Sequence, residues 1–478
     1  MGGLKLAKFD IIIENGFIVD GKGNKGFYGD IGIIDDKIVK IGDLKGNEAE
    51  RIIDATGKVV SPGFIDTHSH SSMLVFEDPF LTPKIRQGIT TELIAQDGIG
   101  PAPVDDENLS LGPNVAYLVP HGNLRMVSMG LENRKPTDEE MKRMKENLAK
   151  GIDEGAFGMS TGLIYSPCMY AEIEEFIELG KVLHEKDALF VTYQRSEADY
   201  ILESMEEILS IGKESGCKIH FSHFKVCGKN NWNKIPEVFA RLDKAKEEGI
   251  IVSFDQYPYV AGSTMMSIIL PPWVHGGGTE KLLERLMDEG LRKKMKEDIE
   301  KGIKGWDNFV EFAGLDGIFV TFVGSEKNKD IVGKNIIEIG KIRDRDPLKL
   351  IMNRPEHNVC TDGIMGEKPH PRLYGAFPRV LGKYTRDEKV FPIETAIYKM
   401  TGRPAEILGL KDRGILKEGL AADIVIFDFE TIEDRGDYTN PKQYPIGIEY
   451  VMVNGKILID EGNPKPRKAG KVLKRGKN

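Results

Sequence analysis

The sequence predicts an α/β protein, a (β/α)8 barrel of the TIM type carrying a small β-sandwich built from both chain ends. Three observations lead there. Strand-like and helix-like runs alternate from about residue 63 to about residue 402, the pattern of parallel strands covered by helices. Both flanks lack helical periodicity and read as short strands broken by turns. At the junction lies Gly63-Phe64-Ile65-Asp66-Thr67-His68-Ser69-His70. On an extended chain, residues two apart share a face, so both histidines there project into one space.

A chain of 478 residues exceeds the ~250–300 at which one hydrophobic core stops growing, so a large and a small domain are expected. The net charge of −9 argues against a nucleic-acid partner, and no basic block suggests a membrane surface. No run of ~18 apolar residues is present to cross a bilayer, and the first residues lack a signal peptide's apolar core. Cys168, Cys217, Cys227 and Cys360 are scattered and form no C-x-x-C pair, which fits a reducing cytoplasm. The oligomeric state is not legible.

The first flank, residues 1–62, places strands at Phe9–Ile13, Gly16–Val19, Asp30–Ile34 and Lys37–Ile41, and across Ile52–Val60 around the turn at 54–57. The alternating region follows. Thr137 to Glu140 is a capping box opening a helix with Met141, Met144 and Leu148 on one face. Strands are expected at 155–160, 188–193, 217–224 and 250–256, with helices at 173–183, 202–211 and 236–248. Residues 274–350 break the rhythm with a long charged helix at 279–302 and a strand at 317–323. This insertion could cover the site or be a surface excursion. The barrel pattern returns at Asn358-Val359-Cys360-Thr361-Asp362-Gly363 and ends with a helix at 393–400. Residues 403–478 revert to strands and join the first flank in one discontinuous domain, with a disordered basic tail at 464–477.

Histidine is scarce, with nine in the chain, so placement matters. His68 and His70 close a first barrel strand, His223 ends a mid-barrel strand, and Asp362 follows the last. His220 and His223 are three apart and face opposite ways on a strand, so one of them can join the pocket. Polar groups at strand C-terminal ends converge on the catalytic face of such barrels. Three histidines and a carboxylate make an open catalytic metal site.

The motifs SPGFIDTHSH (61–70), GITTELIAQDG (88–98), GAFGMSTGLIYSP (155–167), FSHFK (221–225), FDQYPYVAGST (254–264), TDG (361–363), HPRLYGAFPRVLGKY (370–384) and GILKEGLAADIVIFD (414–428) span nearly the whole chain. Together they resemble the amidohydrolase superfamily and, within it, the N-acyl-D-amino-acid deacylases. The resemblance implies metal-dependent hydrolysis of the amide of an N-acyl-D-amino acid, a small-molecule substrate, by a zinc enzyme. It implies that His68 and His70 bind one metal, His223 serves a second site, and Asp362 is both ligand and general acid/base. It also implies that Lys225, Tyr257 and Arg372 hold the substrate's α-carboxylate. The chain departs from the family at Asp97, where a bridging cysteine is usual, and at Tyr193, where a histidine is usual. No histidine lies between His223 and His275, so a sixth-strand ligand is also expected to be missing. One catalytic zinc is therefore expected rather than two, with Asp97 standing in for the thiolate. Two alternatives are a cyclic amidase, disfavoured because Thr192-Tyr193-Gln194-Arg195 offers no fourth-strand lysine, and an inactive scaffold, disfavoured because the histidines remain.

Overall fold

The two flanks meet in one sheet. In the computed structural model, which describes residues 8–72, 74–100, 111–264, 266–309, 311, 357–364 and 368–476, the strand Ile424–Phe427 pairs antiparallel with Val59–Pro62. Val59 and Val60 in turn run parallel to the end of Lys8–Ile18. The apolar runs anticipated at 9–13 and 16–19 are one strand, Lys8–Ile18, interrupted by an irregularity between Ile13 and Gly16. Nine strands form this sheet, from Asn463–Pro464 at one side to Lys37–Gly42 at the other. Ile13, Ile31, Ile33, Val60, Ile424 and Met452 fill its interior.

The barrel has eight parallel strands: Phe64–Asp66, Ile89–Ile94, a bent third strand Asn114–Tyr117 continuing as Val119–Pro120, Gly158–Gly162, Leu189–Tyr193, Lys218–Phe221, Val252–Gln256 and His357–Val359. The first and eighth meet through side chains and loop backbone. Asp362 N–H donates to the His68 carbonyl at 2.9 Å, and Asp66 accepts from Thr361 N–H at 2.9 Å and from its hydroxyl at 2.6 Å. Fully buried Lys84 donates to the same Asp66 carboxylate at 2.7 Å. A buried charge is costly unless paired; here one ammonium locks the seam beneath the histidines.

Helices Asp138–Asp153, Ile173–Glu185, Ile201–Ser215 and Ile235–Glu247 cover the outside. The first has the expected capping box, with Thr137 Oγ1 accepting from Glu140 N–H. Its Met144, Leu148 and Ile152 pack with Phe176, Leu179 and Met205.

Several expectations are corrected. The helix anticipated at 279–302 is two helices, Gly278–Met287 and Glu289–Lys301. Asp288 caps the second by accepting from Leu291 N–H at 2.8 Å, and its extended backbone breaks the run. The strand anticipated at 317–323 lies outside the described residues, as does most of the later insertion. The basic tail is not disordered through 476. Ala469 N–H and Leu473 N–H donate to Leu111 and Val115 carbonyls at 3.0 and 2.8 Å, and Arg475 N–H donates to Gly155 at 3.0 Å. Backbone pairing, which charge composition does not reveal, orders it.

Candidate metal centre and substrate site

The site forms where the barrel strands end. Gly63 turns the chain from the sandwich into the first barrel strand, and a Cβ there would run into the Thr90 side chain. That strand ends at Asp66, so His68 and His70 lie on the loop beyond it rather than on the strand. They still converge as expected, their Nε2 atoms 3.3 Å apart.

Around this pair the other predicted groups assemble. His70 Nε2 lies 3.4 Å from Asp97 Oδ2 and 3.1 Å from Asp362 Oδ1. His68 Nε2 lies 3.8 Å from Asp97 and 3.7 Å from Asp362. His223 Nε2 is 3.9 Å from Asp97 Oδ1. Two triads, His68–His70–Asp97 and His68–His223–Asp362, have a geometry that could hold a metal ion. They share His68. One imidazole nitrogen serves one ion, so the overlap suits a single centre.

Backbone strain accompanies this convergence. Asp97, His223 and Asp362 all have left-handed φ, at 56°, 34° and 46°. Non-glycine residues avoid that region unless surrounding contacts enforce it, and such strain concentrates at functional sites. Asp255 enforces it for His223, accepting His223 N–H at 2.6 Å, His220 Nε2–H at 2.9 Å and the Thr67 hydroxyl at 3.2 Å. His220 thus faces Asp255 while His223 enters the pocket; one of the two joins the site as expected, but through the left-handed turn beyond Phe221 rather than strand alternation.

The charges suit a cation. Burial pulls the His70 imidazole down, but hydrogen bonds to Asp362 and Asp97 outweigh it and raise it to about 9. Burial pushes the Asp97 carboxyl up, yet His68, His70 and His223 hold it well below its ordinary range. The same opposition depresses Asp362, Arg372 being its strongest favourable neighbour. The His68 Nδ1 and Asp97 Oδ1 atoms are buried without a hydrogen-bond partner. Imidazoles beside ionised carboxylates, with a spare acceptor, are what a zinc ion requires, and its binding displaces the imidazolium protons.

Lys225, Tyr257 and Arg372 stand beside this cluster. The Arg372 guanidinium lies 4.1 Å over the Tyr257 ring and the Lys225 ammonium 5.6 Å from it. Both cations are already paired, Arg372 Nη1 to Asp362 Oδ2 at 2.9 Å and Lys225 Nζ to Glu197 Oε2 at 2.6 Å. Arg372 begins the helix Arg372–Arg379. Lys225 lies beyond the end of its strand at Phe221, but it folds back so that Nζ lies 2.9 Å from His223 Nδ1.

Counting strands corrects two further expectations. Tyr193 ends the fifth strand and His223 follows the sixth. The sixth-strand histidine is therefore present, as His223; the fifth-strand position is the one altered, to Tyr193. The fourth strand is Gly158–Gly162, and it too contains no lysine. Unequal helix and loop lengths hid the count in the sequence.

Sequence reasoning missed Glu197, Asp255 and Lys84. Glu197 Oε1 lies 3.2 Å from His223 Nδ1. Asp255 sits inside the FDQYPYVAGST run, but nothing local marks its role or those of Lys84 and Glu197, which come from neighbours 18 to 295 positions away.

The model of the amidohydrolase family matches residues 51–168 and 312–459. An N-acyl-D-glutamate deacylase of Alcaligenes xylosoxydans xylosoxydans is 33% identical over 98% of this chain and 97% of its own. The chain belongs to the amidohydrolase family. A D-aminoacylase of the same organism is 34% identical over 98% of both chains. A crystal structure of N-acyl-D-glutamate deacylase from Bordetella bronchiseptica, complexed with zinc and a phosphonate mimic of the tetrahedral intermediate, superposes with a TM-score of 0.83. It is 30% identical and covers 98% of this amidohydrolase and 100% of its own chain. Among the described residues, no helix of this amidohydrolase is long and apolar enough to cross a membrane.

Proposed function

We propose that this amidohydrolase hydrolyses the amide bond of N-acyl-D-amino acids, releasing a carboxylate and a free D-amino acid, at one zinc centre. The observation that carries the reading is the convergence of His68, His70, Asp97, His223 and Asp362 at the barrel mouth, with Arg372, Tyr257 and Lys225 beside them. The D-configuration rests on the relatives, an N-acyl-D-glutamate deacylase and a D-aminoacylase.

His68, His70, Asp97, His223 and Asp362 would hold the ion. A zinc ion held there would lower the pKa of a bound water toward about 7 and polarise the scissile carbonyl. Asp362 accepts the proton the attacking water loses and returns it to the leaving nitrogen. Paired to Arg372, Asp362 is a weak base. A substrate carboxylate that draws Arg372 away leaves Asp362 more basic, so binding the correct anion readies the acid/base. Arg372 offers a planar fork for that carboxylate and Lys225 a point charge, while the Tyr257 ring supports both. Among the described residues the fourth strand has no lysine to be carbamylated, which favours linear over cyclic amides.

The test is the purified protein assayed for bound zinc and for turnover of acetyl-D- and acetyl-L-amino acids. Zinc near one equivalent with D-selective hydrolysis supports the reading. A zinc-loaded protein that leaves acetyl-D-amino acids intact and opens cyclic amides would sink it.

A further inference from the structure

Among the described residues, the late insertion reaches the loop that carries Glu197 through Asp307 and the end of the fifth strand through Phe309. Asp307, six residues after the helix Glu289–Lys301, is 5% exposed. Its Oδ1 accepts from the Ser196 hydroxyl at 2.6 Å and its Oδ2 from Glu197 N–H at 2.7 Å. Ser196 Oγ in turn accepts from Ala198 and Tyr200 N–H at 3.3 and 3.2 Å. One carboxylate thus organises the loop after the fifth strand. Two residues on, Phe309 packs against the cluster of Ile164, Tyr193 and Ile268, so the insertion grips that strand end by polar and apolar contacts together.

The loop carries Glu197, whose carboxylate is shared between His223 Nδ1 and Lys225 Nζ, at 3.2 and 2.6 Å. A histidine ligates through Nε2 when Nδ1 keeps its proton, and a carboxylate accepting that proton fixes both tautomer and ring orientation. Lys225 cannot serve this purpose: its ammonium, 2.9 Å from the same Nδ1, can donate only to the opposite tautomer. Glu197 is the acceptor that makes His223 a ligand, and its position depends on Asp307. Burial raises the Asp307 carboxyl to about 6 against these two hydrogen bonds, a cost the loop contacts offset.

Resting on the reading of this site as a zinc centre, we propose that Asp307 is a positioning residue for it, acting through Glu197 to set His223 and Lys225. The insertion thereby becomes part of the machinery that prepares the metal and the anion grip.

The test measures zinc affinity by chelator competition and the melting temperature of chelator-treated and zinc-loaded protein. Asp307→Ala is expected to weaken zinc about 10- to 100-fold, shrinking the zinc-induced rise in melting temperature, and to raise KM as Lys225 loses its setting. Asp307→Asn keeps an acceptor for Glu197 N–H and should recover most of the affinity. Glu197→Gln should reproduce the zinc loss, and combining it with Asp307→Ala should add little. Ser196→Ala, a milder change that keeps the test open if Asp307→Ala does not fold, should weaken zinc a few-fold. Wild-type zinc affinity in folded Asp307→Ala or Ser196→Ala, with at most a lower melting temperature of the chelator-treated protein, overturns the inference. If those variants match a wild-type chain that binds zinc and deacylates, this inference alone fails. A wild-type chain that holds no zinc removes the site reading and this inference with it.

Discussion

The two sides of the barrel mouth are built differently. On the side of the first and eighth strands, His68, His70 and Asp362 rest on a buried lattice of Asp66, Thr361 and Lys84, with Arg372 paired to Asp362. On the side of the fifth and sixth strands, Tyr193 ends one strand, and His223 is oriented by the side chains of Asp255, Glu197 and Lys225. Backbone and fully buried ions fix the first side; the second depends on a loop held partly by the insertion. On the proposed reading the first side holds the acid/base and the second carries His223 and Lys225, so changes to the two sides are expected to act differently.

Disabling the first side should have the largest effect. Asp362→Asn removes the proposed acid/base and the partner of Arg372, and kcat should fall about 10²- to 10⁴-fold in steady-state assays. Arg372→Met should lower kcat/KM for acetyl-D-amino acids roughly 30- to several-thousand-fold, the ~2–5 kcal/mol of a lost buried charge partner, with zinc content intact. The corresponding neutral amides should lose far less; equal losses on both substrates would remove Arg372 from recognition.

Changes between the two sides should be smaller. Asp97→Ala should cost about 10- to 100-fold in zinc affinity by chelator competition and lower turnover in parallel; full zinc and an unchanged rate would make Asp97 a bystander. Asp255 ties the sides together, and its carboxyl, pushed up by burial but held by His220, His68 and the His223 amide, sits at about 2. A carboxyl depressed on folding stabilises the protein above its unfolded pKa, and that share disappears as pH falls through about 2. Asp255→Asn should therefore cost about 2 kcal/mol in denaturant unfolding at pH 6, and the gap to wild type should narrow toward pH 2.

The mildest change sharpens the contrast most. Tyr193→Phe should leave zinc content near one equivalent and shift kcat/KM only a few-fold. Tyr193→His, which replaces a ring whose centre lies 4.3 Å from that of His223 with an imidazole, should raise zinc content above one equivalent. Unchanged stoichiometry there would show that the second side is limited by more than its missing histidine.

Much of this was legible in the sequence because its signals are local. The alternation of 63–402, the His-x-His spacing and the capping box at Thr137 each lie within a few residues, and the barrel, the histidine pair and the helix follow. Asp362 was read from its place after the last strand, and Asp97 and Arg372 through motif resemblance, yet the left-handed backbones of Asp97 and Asp362 and the pairing of Asp362 with Arg372 were not. Lys84, Glu197 and Asp255 escaped because burial and partnership between distant strands define them. The strand count failed because unequal helix and loop lengths hid the strands Ile89–Ile94 and Asn114–Tyr117, and the tail failed because its order comes from pairing with Leu111 and Val115.

The pairing of Ile424–Phe427 with Val59–Pro62 also sets an order of events at the ribosome. The strand that delivers His68 and His70 emerges early, but the neighbour that closes its anchoring sheet is made more than three hundred residues later. Until then Val59 and Val60 lack one hydrogen-bonded flank, an open edge of the kind that recruits wrong partners. A nascent chain interrupted before residue 424 would carry the histidine pair on an unsecured support. The full set of candidate ligands exists only once Asp362 has been made, and the sheet that anchors the histidine pair closes only when residues 424–427 follow.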